Sequence, residues 1–386
     1  MTQVDLVYFN AGGGHRAAAL ALRDAIALQG LPWRVRLVNL TEVLDPTQSF
    51  QRYTGLMPED LYNKRLARGW TLGFAQELKL LQGFIRWMEP TLAARLQAHW
   101  ARTQPDLVVS LVPNFNRVMA QAIARLQAPP GVAPPFVTVM TDLADLPPHF
   151  WAAPGTAQHL VCGTAHAEQQ ALAQGLPREQ VHRVEGMLLH PSFLAQPPLD
   201  RAAERARLGF AASDPVGLVM FGGQGSRLMK RIARQLAHRP LILMCGRNTA
   251  LAEELRELDA SASRQVIGYT PAVARWMALA DYFIGKPGPG SISEAVQMGL
   301  PVIVTRNTWT MPQERWNTQW VQDHGVGRVL RSFADVDAAV DDVVQHLPAL
   351  REAARAVQNH ALQQVPACLQ RILRTAASSW PYAPAA

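Results

Sequence analysis

The chain has 386 residues, 48% of them hydrophobic, with 26 Gly, 28 Pro and 3 Cys, enough for two ordinary domains that each bury a core. This composition excludes a disordered chain and a small disulfide-stapled scaffold. Only 17% of the residues are charged, yet 37 basic against 30 acidic side chains leave a formal net charge of +7, which fits either an anionic partner or a base-composition bias toward arginine. Lysine is rare, at Lys64, Lys79, Lys230 and Lys286 only, so most cations are fork-shaped guanidiniums suited to phosphate.

In chain order, "VDLVYFN" (residues 4–10) predicts a buried strand that runs into a glycine cluster, a helix follows from His15 to about Leu28, and "WRVRLVNL" (33–40) is a second strand. Similar apolar runs recur at "DLVVSLVP" (106–113), "PFVTVMTD" (135–142) and "HLVCGT" (159–164), with helical stretches between them. A second series runs through "PVGLVMFGG" (215–223), "PLILMCG" (240–246), "RQVIGY" (264–269), "YFIGKPG" (282–288) and "LPVIVT" (300–305). The pattern predicts two α/β domains in tandem, each a parallel sheet covered on both faces. The rhythm lapses in the Pro-rich stretch His190 to Asp200, which divides the chain into residues 1–195, residues 196–360, and a C-terminal helix and tail, 361–386, with a possible return to the first domain.

Cys162, Cys245 and Cys368 are odd in number, far apart and without a CxxC, so neither a disulfide framework nor a zinc site is indicated and a reducing cytoplasm is expected. No leader pattern and no run of 18 apolar residues is found, and the uncharged stretch from Leu126 to Thr141 holds four prolines.

Residues 61–102 break the α/β rhythm. They carry five of the seven net positive charges, through Lys64, Arg65, Arg68, Lys79, Arg86, Arg95 and Arg102 against Glu77 and Glu89. Trp70, Leu72, Phe74, Leu78, Leu81, Phe84, Ile85 and Trp87 are interleaved with them. On a helix this is either an interfacial membrane surface, with Lys64, Arg65, Arg68, Trp70, Phe74, Lys79, Phe84, Arg86 and Trp87 at its face, or a helix packed on the sheet with its cations in water.

Three glycine loops run from a strand into a helix. The first, "NAGGGHRAAA" (10–19), contains Gly12, Gly13 and Gly14 and satisfies a relaxed dinucleotide fingerprint, although the acidic residue such a site needs is poorly placed at Glu42. His15 stands where the helix N-terminus favours a neutral imidazole, the form a general base needs; it is either that base or a residue lining the loop. The second loop holds Gly222, Gly223, Gly225 and Ser226, and the third Lys286, Gly288, Gly290, Ser291 and Glu294. Together they suit a diphosphate held by backbone amides and hydroxyls without a metal. Glu294 either completes a capping box with Ser291 or holds a ribose diol. Beyond them, Gln313, Glu314, Asn317 and Gln319 lie beside Trp309, Trp316 and Trp320, which suits sugar hydroxyls or a plain polar loop over buried tryptophans. Asp335-x-Asp337 has the form of a metal-nucleotide pair but sits in the first turn of a helix, where acids need no other explanation, and no metal site is assigned.

Seven segments in order carry a resemblance: "AGGGHRAAALAL", "TDLADLPPHFW" (141–151), "GMLLHPSF" (186–193), "MCGRN" (244–248), "GYTPAVARWMALAD", "GKPGPGSISEAVQMGLPVIV" and "PQERWN". They resemble the GT-B glycosyltransferases related to monogalactosyldiacylglycerol synthase and the processive diacylglycerol glucosyltransferases, and more distantly the peptidoglycan lipid-intermediate N-acetylglucosaminyltransferase. The resemblance implies an α/β fold of two Rossmann-like domains facing a central cleft, the first binding the acceptor and the second a UDP-sugar, with inverting hexosyl transfer to a lipid hydroxyl, best matched by diacylglycerol. It implies His15 as the base, Tyr269 and Thr270 at the uracil, Glu294 at the ribose, Gly223, Ser226, Gly290 and Ser291 at the diphosphate, and Gln313, Glu314 and Asn317 at the donor sugar. No obligatory cofactor or divalent ion follows. A cytoplasmic enzyme, peripheral on an anionic membrane and without a nucleic-acid partner, is the expectation. The segment 141–151 differs from the synthases in its middle, and Met311-Pro312-Gln313-Glu314 replaces the family's Pro-Gly-Gln-Glu. The competing readings are a UDP-sugar epimerase or hydrolase on the same fold, a non-catalytic sugar-nucleotide-binding partner in polysaccharide assembly, and an NAD-dependent oxidoreductase.

Overall fold

The computed structural model describes residues 1–10, 13–45, 74–126, 133–195 and 198–378. Described residues up to Pro191, together with those from Asn359 onward, form one compact unit, and Ser192–Gln358 form a second.

The first unit is built on six parallel strands, β1 (Thr2–Tyr8), β2 (Trp33–Asn39), β3 (Leu107–Ser110), β4 (Phe136–Val139), β5 (Gln158–Cys162) and β6 (Val181–Arg183), in the order β2-β1-β3-β4-β5-β6. Register runs from Thr2 opposite Trp33 to Tyr8 opposite Asn39, and from Val4 opposite Leu107 to Val7 opposite Ser110. Successive side chains point to opposite faces, and both faces are covered. Val4, Leu6, Leu107 and Val109 meet Leu22 and Ile26 of the helix Gly14–Leu28 and Val365 and Leu369 of the C-terminal helix Ala361–Ser378. Val7, Val108 and Phe136 meet Leu96 and Trp100 of the helix Phe74–Thr103 and Met119 and Ile123 of Asn116–Ala124. The helix Gly14–Leu28 follows from an Ala- and Leu-rich run whose apolar positions 18, 22, 25 and 26 fall on one face, and it stops where Gly30 takes a φ of 63°. Burial of each of these leucines contributes about 2 kcal/mol.

The second unit repeats the plan with β7 (Gly217–Met220), β8 (Leu241–Met244), β9 (Arg264–Ile267), β10 (Tyr282–Gly285), β11 (Val302–Thr305) and β12 (Gly327–Leu330), all parallel, in the order β12-β11-β10-β7-β8-β9. Gly217 is required by packing, since a Cβ there would lie 2.6 Å from the Tyr282 ring. Asp281, just before β10, gathers Arg201, Arg205 and Arg351 and accepts the Val216 N–H at 2.8 Å, so one buried carboxylate ties the helices Arg201–Arg207 and Leu347–Ala356 to the start of β7.

The sequence pattern anticipates ten of these strands and misses β6 and β12. Both are edge strands of three or four residues, "VHR" and "GRVL", whose mixed polarity carries no apolar run.

Candidate functional site

In an open doubly wound sheet a ligand crevice forms beyond the carboxyl ends of the two strands from which the chain departs in opposite directions. In the first unit these are β1 and β3, and in the second β7 and β10. The predicted glycine loops follow β1, β7 and β10.

In the first unit Gly13 caps the helix Gly14–Leu28 with a φ of 81°, a conformation that a side chain rarely adopts. His15 occupies its first turn, partly buried. The ring Nδ1 lies 3.1 Å from Thr141 Oγ1, and the ring centroid 6.2 Å from that of Trp151. Desolvation pushes its pKa down to about 4, against the weaker opposite pull of a hydrogen bond to the Leu111 backbone. Gly12 lies outside the described residues, and with it this part of the acceptor loop.

The segment 141–151 is held by buried carboxylates. Asp142 accepts Trp151 Nε1–H at 2.9 Å, and Asp145 accepts the Trp151 N–H at 2.8 Å and Gln174 Nε2–H at 2.8 Å, while burial raises its own pKa. Beneath it, Asn116 and Gln158 both donate to the Trp151 carbonyl, at 3.1 and 2.9 Å, so Trp151 is held at its backbone and at its indole N–H.

In the second unit the helices Leu228–Gln235 and Pro289–Gln297 both begin at the switch point, and neither has a side chain at its N-cap position bonding to it. Their first N–H groups present positive ends there. Gly223 is exposed with open space where a Cβ would lie, and so is the space at Gly290. Ser226 is buried and its Oγ accepts the Leu228 N–H at 3.3 Å. The β7 loop is locked to the turn after β8: Arg247 N donates to Gly223 O at 2.9 Å, and Gly246, at a φ of 58°, would clash there with any Cβ. The Arg247 guanidinium sits 4.8 Å from the centre of the Tyr269 ring, which is 65% exposed. Thr270 Oγ1 accepts the Ala272 N–H at 3.0 Å.

Ser291 and Glu294 do not form a capping box. The N-cap is Gly288 and Pro289 opens the helix, so Ser291 is already its third residue and Glu294 lies within it. Glu294 is partly buried, and desolvation lifts its pKa to about 8. Gln313 Nε2 contacts Met311 Sδ at 3.6 Å, Glu314 is buried and pairs with Lys286 Nζ at 2.5 Å, and Asn317 Nδ2 donates to Pro287 O at 2.8 Å. Glu314 and Asn317 are thereby tied to the third loop, at Lys286 and Pro287.

Asp337 is taken by Arg239 and His238, and no group of three metal-ligating side chains is found among the described residues. Of the basic apolar segment, Lys64, Arg65, Arg68 and Trp70 lie outside the described residues, and Phe74 and Lys79 fall on the helix Phe74–Thr103 without described side chains. The remainder does not act as a single stripe: Ile85 is core, whereas Leu80, Leu81, Phe84 and Trp87 are exposed beside exposed Arg86. Among the described residues no helix is long and apolar enough to cross a membrane.

Sequence reasoning gave no role to Thr141, Lys286 or Arg247. The scarcity of lysine was a usable signal for Lys286; nothing in the sequence pairs Thr141 with His15 across 126 positions.

Two doubly wound units with glycine loops at their switch points define a GT-B glycosyltransferase fold. The structure is similar to MurG from Acinetobacter baumannii, with a TM-score of 0.57 at 14% identity over 96% of this chain and all of that one. It is also similar to a UDP-N-acetylglucosamine 2-epimerase, with a TM-score of 0.56 at 12% identity over 99% of this chain and 98% of that one. Residues 15–186 match the family model of monogalactosyldiacylglycerol synthase, and residues 218–370 that of the glycosyltransferase family 28 C-terminal domain. A probable monogalactosyldiacylglycerol synthase 2 of Oryza sativa subsp. japonica, described as chloroplastic, is 31% identical over 338 residues, 82% of this chain and 68% of that protein. The chain belongs to the monogalactosyldiacylglycerol synthase family of glycosyltransferases.

Proposed function

We propose that the protein transfers a hexosyl group from a UDP-sugar to a lipid hydroxyl with inversion at the anomeric carbon, diacylglycerol being the acceptor of choice. The observation that carries this reading is His15, a desolvated imidazole kept neutral at physiological pH at the switch point of the first unit. In the proposed step the ring takes the proton of the acceptor hydroxyl, the hydroxyl oxygen bonds to the anomeric carbon, and the bond from that carbon to the diphosphate breaks with its electron pair leaving on UDP. Two helix N-termini at the second switch point receive that charge, and in this reading no divalent ion is obligatory. Tyr269 and Thr270 border the base, Glu294 the ribose, Gly223, Ser226, Gly290 and Ser291 the diphosphate, and Gln313, Glu314 and Asn317 the sugar.

Exposed Leu80, Leu81, Phe84 and Trp87 beside Arg86 support peripheral docking on an anionic bilayer; the bilayer we propose is the cell membrane, at its cytoplasmic face. Because an epimerase shares the fold, the test separates transfer from donor-only chemistry. Purified protein is incubated with UDP-sugars, with and without diacylglycerol in anionic vesicles, and UDP release and glycolipid are followed. Glycolipid formed only with the lipid present is the expected result. A sugar isomerised or released without lipid would replace transfer by epimerisation or hydrolysis.

A further inference from the structure

Two loops leave the switch point of the first unit, the glycine loop after β1 and residues 111–116 after β3. They meet at two places. The Leu111 backbone bonds to the His15 ring, and the Phe115 ring lies edge-on to that of Phe9, with centroids 5.5 Å apart. Asn114 stands between these contacts along the chain, in the left-handed region at a φ of 65°. Its N–H donates to Phe150 O at 2.7 Å, and its Oδ1 accepts Gln82 Nε2–H, from the helix Phe74–Thr103, at 3.1 Å. Its Nδ2 has no hydrogen-bond partner among the described residues.

The same loop holds a second asparagine for comparison. Asn116 is buried, its Oδ1 accepts the Ser110 and Thr138 hydroxyls at 2.7 and 3.1 Å, and its Nδ2 donates to the Trp151 carbonyl, so that amide is committed to the fold. Asn114 is committed only by half. Glycine would meet the turn with less strain, and Gln82 uses the amide oxygen alone. Neither the turn nor Gln82 accounts for the two Nδ2–H donors, and strained positions of this kind gather at ligand sites. Held at its backbone and at Oδ1, the amide is pre-organised to donate to a carbonyl oxygen. Phe115, its neighbour in sequence, and Phe9 are partly buried and suit the apolar chain attached to such a carbonyl.

We propose that Asn114 is an acceptor-binding residue, its Nδ2 donating to an ester carbonyl of the lipid whose hydroxyl His15 deprotonates. The inference rests on the glycolipid reading and adds to it the group that tells an acyl ester from an ether. The bond is made to a part of the acceptor that does not react. It therefore acts on acceptor binding and on the orientation of the hydroxyl, and the proton still goes to His15.

Steady-state transfer to diacylglycerol and to a dialkylglycerol of the same chain lengths, each in anionic vesicles, tests this on the wild type, Asn114→Asp and Asn114→Gly. Aspartate keeps an oxygen for Gln82 but donates nothing, and glycine keeps the left-handed turn without the amide. Both variants should lower kcat/KM for diacylglycerol about tenfold, the size of one hydrogen bond, mostly through KM. On the dialkylglycerol, which has no carbonyl, both should stay within about twofold of the wild type. UDP affinity and Tm should not change. Wild-type kcat/KM for diacylglycerol in both variants would reduce Asn114 to a turn residue, and a loss in Asn114→Gly alone would assign its side chain to the Gln82 contact. Equal losses on the ester and the ether would show that it shapes the crevice; each of these results overturns the proposal. Wild-type protein that binds UDP but glycosylates neither lipid would remove the glycolipid reading and this proposal with it.

Discussion

Thr141 Oγ1 stands 3.1 Å from His15 Nδ1, a neutral partner for the imidazole that opens the first helix. A carboxylate in that place would favour the imidazolium. The adjacent carboxylate, Asp142, is instead turned to Trp151 Nε1, and desolvation holds the His15 pKa down at about 4. A free histidine is half protonated at about pH 6.5, so His15 stays an unprotonated base through the whole interval between these values. The acid limb of kcat should therefore fall near pH 4, and a limb near 6.5 would mean a solvated ring in the reacting enzyme. His15→Ala should lower kcat by about two orders of magnitude or more with UDP affinity unchanged. The linked stability has the same sign: a folded pKa below the unfolded one gives stability that is complete above about pH 6.5 and is lost as the pH falls through about 4.

Glu294 carries the opposite shift, with a pKa raised to about 8 by desolvation. Ribose hydroxyls donating to its carboxylate would favour the ionised form, so binding should release a proton below about pH 8 and affinity should rise with pH toward that value. Uridine is the suitable probe, because it carries no phosphate that titrates in this interval. Calorimetry in buffers of different ionisation enthalpy should show proton release in the wild type and none in Glu294→Gln, which should also bind uridine less tightly. Equal proton release in the two proteins would remove Glu294 from the ribose site.

Asp281 is buried yet keeps a pKa below the usual carboxylate value, because the Val216 N–H and the Arg201 and Arg205 guanidiniums together outweigh its desolvation. Asp281→Ala would leave three arginines around an apolar gap, one of them, Arg205, buried. Removing one side of a buried ion cluster costs about 3–5 kcal/mol, a fall in Tm on the order of 10 °C for a unit of this size. The stability that Asp281 contributes is present above the unfolded carboxylate pKa and lost as the pH falls through its lowered folded value. Thermal unfolding of the variant at neutral pH checks this, and an unchanged Tm would assign the tie between β7 and its helices to packing alone.

The parallel sheets were legible because buried parallel strands are continuous apolar runs, as in "LVVS" and "LILM", and glycine punctuates the ends of β1, β7 and β10. The edge strands β6 and β12 were not, since "VHR" and "GRVL" are short and of mixed polarity and carry no apolar run. At the candidate site, the positions of His15 and the glycines follow from the local strand-to-helix turn. The contacts of Thr141 and of the pair Lys286–Glu314 depend instead on the strand order: Thr141 follows β4, one strand removed from β1 in the sheet, and Glu314 follows β11, the neighbour of β10. The Ser291–Glu294 spacing shows the reverse failure: the local pattern fits a capping box, but Pro289, with no N–H to satisfy, moves the helix start to Gly288.

On the helix Phe74–Thr103, Leu80, Phe84 and Trp87 fall at i, i+4 and i+7, one face, and all are exposed, with Trp87 at 76%. A core helix hides such a face, and here Ile85 and Leu96 already point to the core, so the exposed row is surplus to folding. Phe84 and Trp87 are in ring contact, with centroids 6.0 Å apart, which joins them into one apolar patch beside Arg86. Inserting each of these side chains into a bilayer interface gains up to about 2 kcal/mol, so two substitutions to charge should be decisive. Leu80→Glu with Trp87→Glu should lower partition onto anionic vesicles at least about tenfold while leaving the Tm and the affinity for UDP as in the wild type. Turnover of diacylglycerol in vesicles should fall with the partition, and turnover of a short-chain, water-soluble diacylglycerol should not. Undiminished partition would place the membrane contact elsewhere on the chain; loss of turnover on both acceptors would make the patch part of the acceptor site itself.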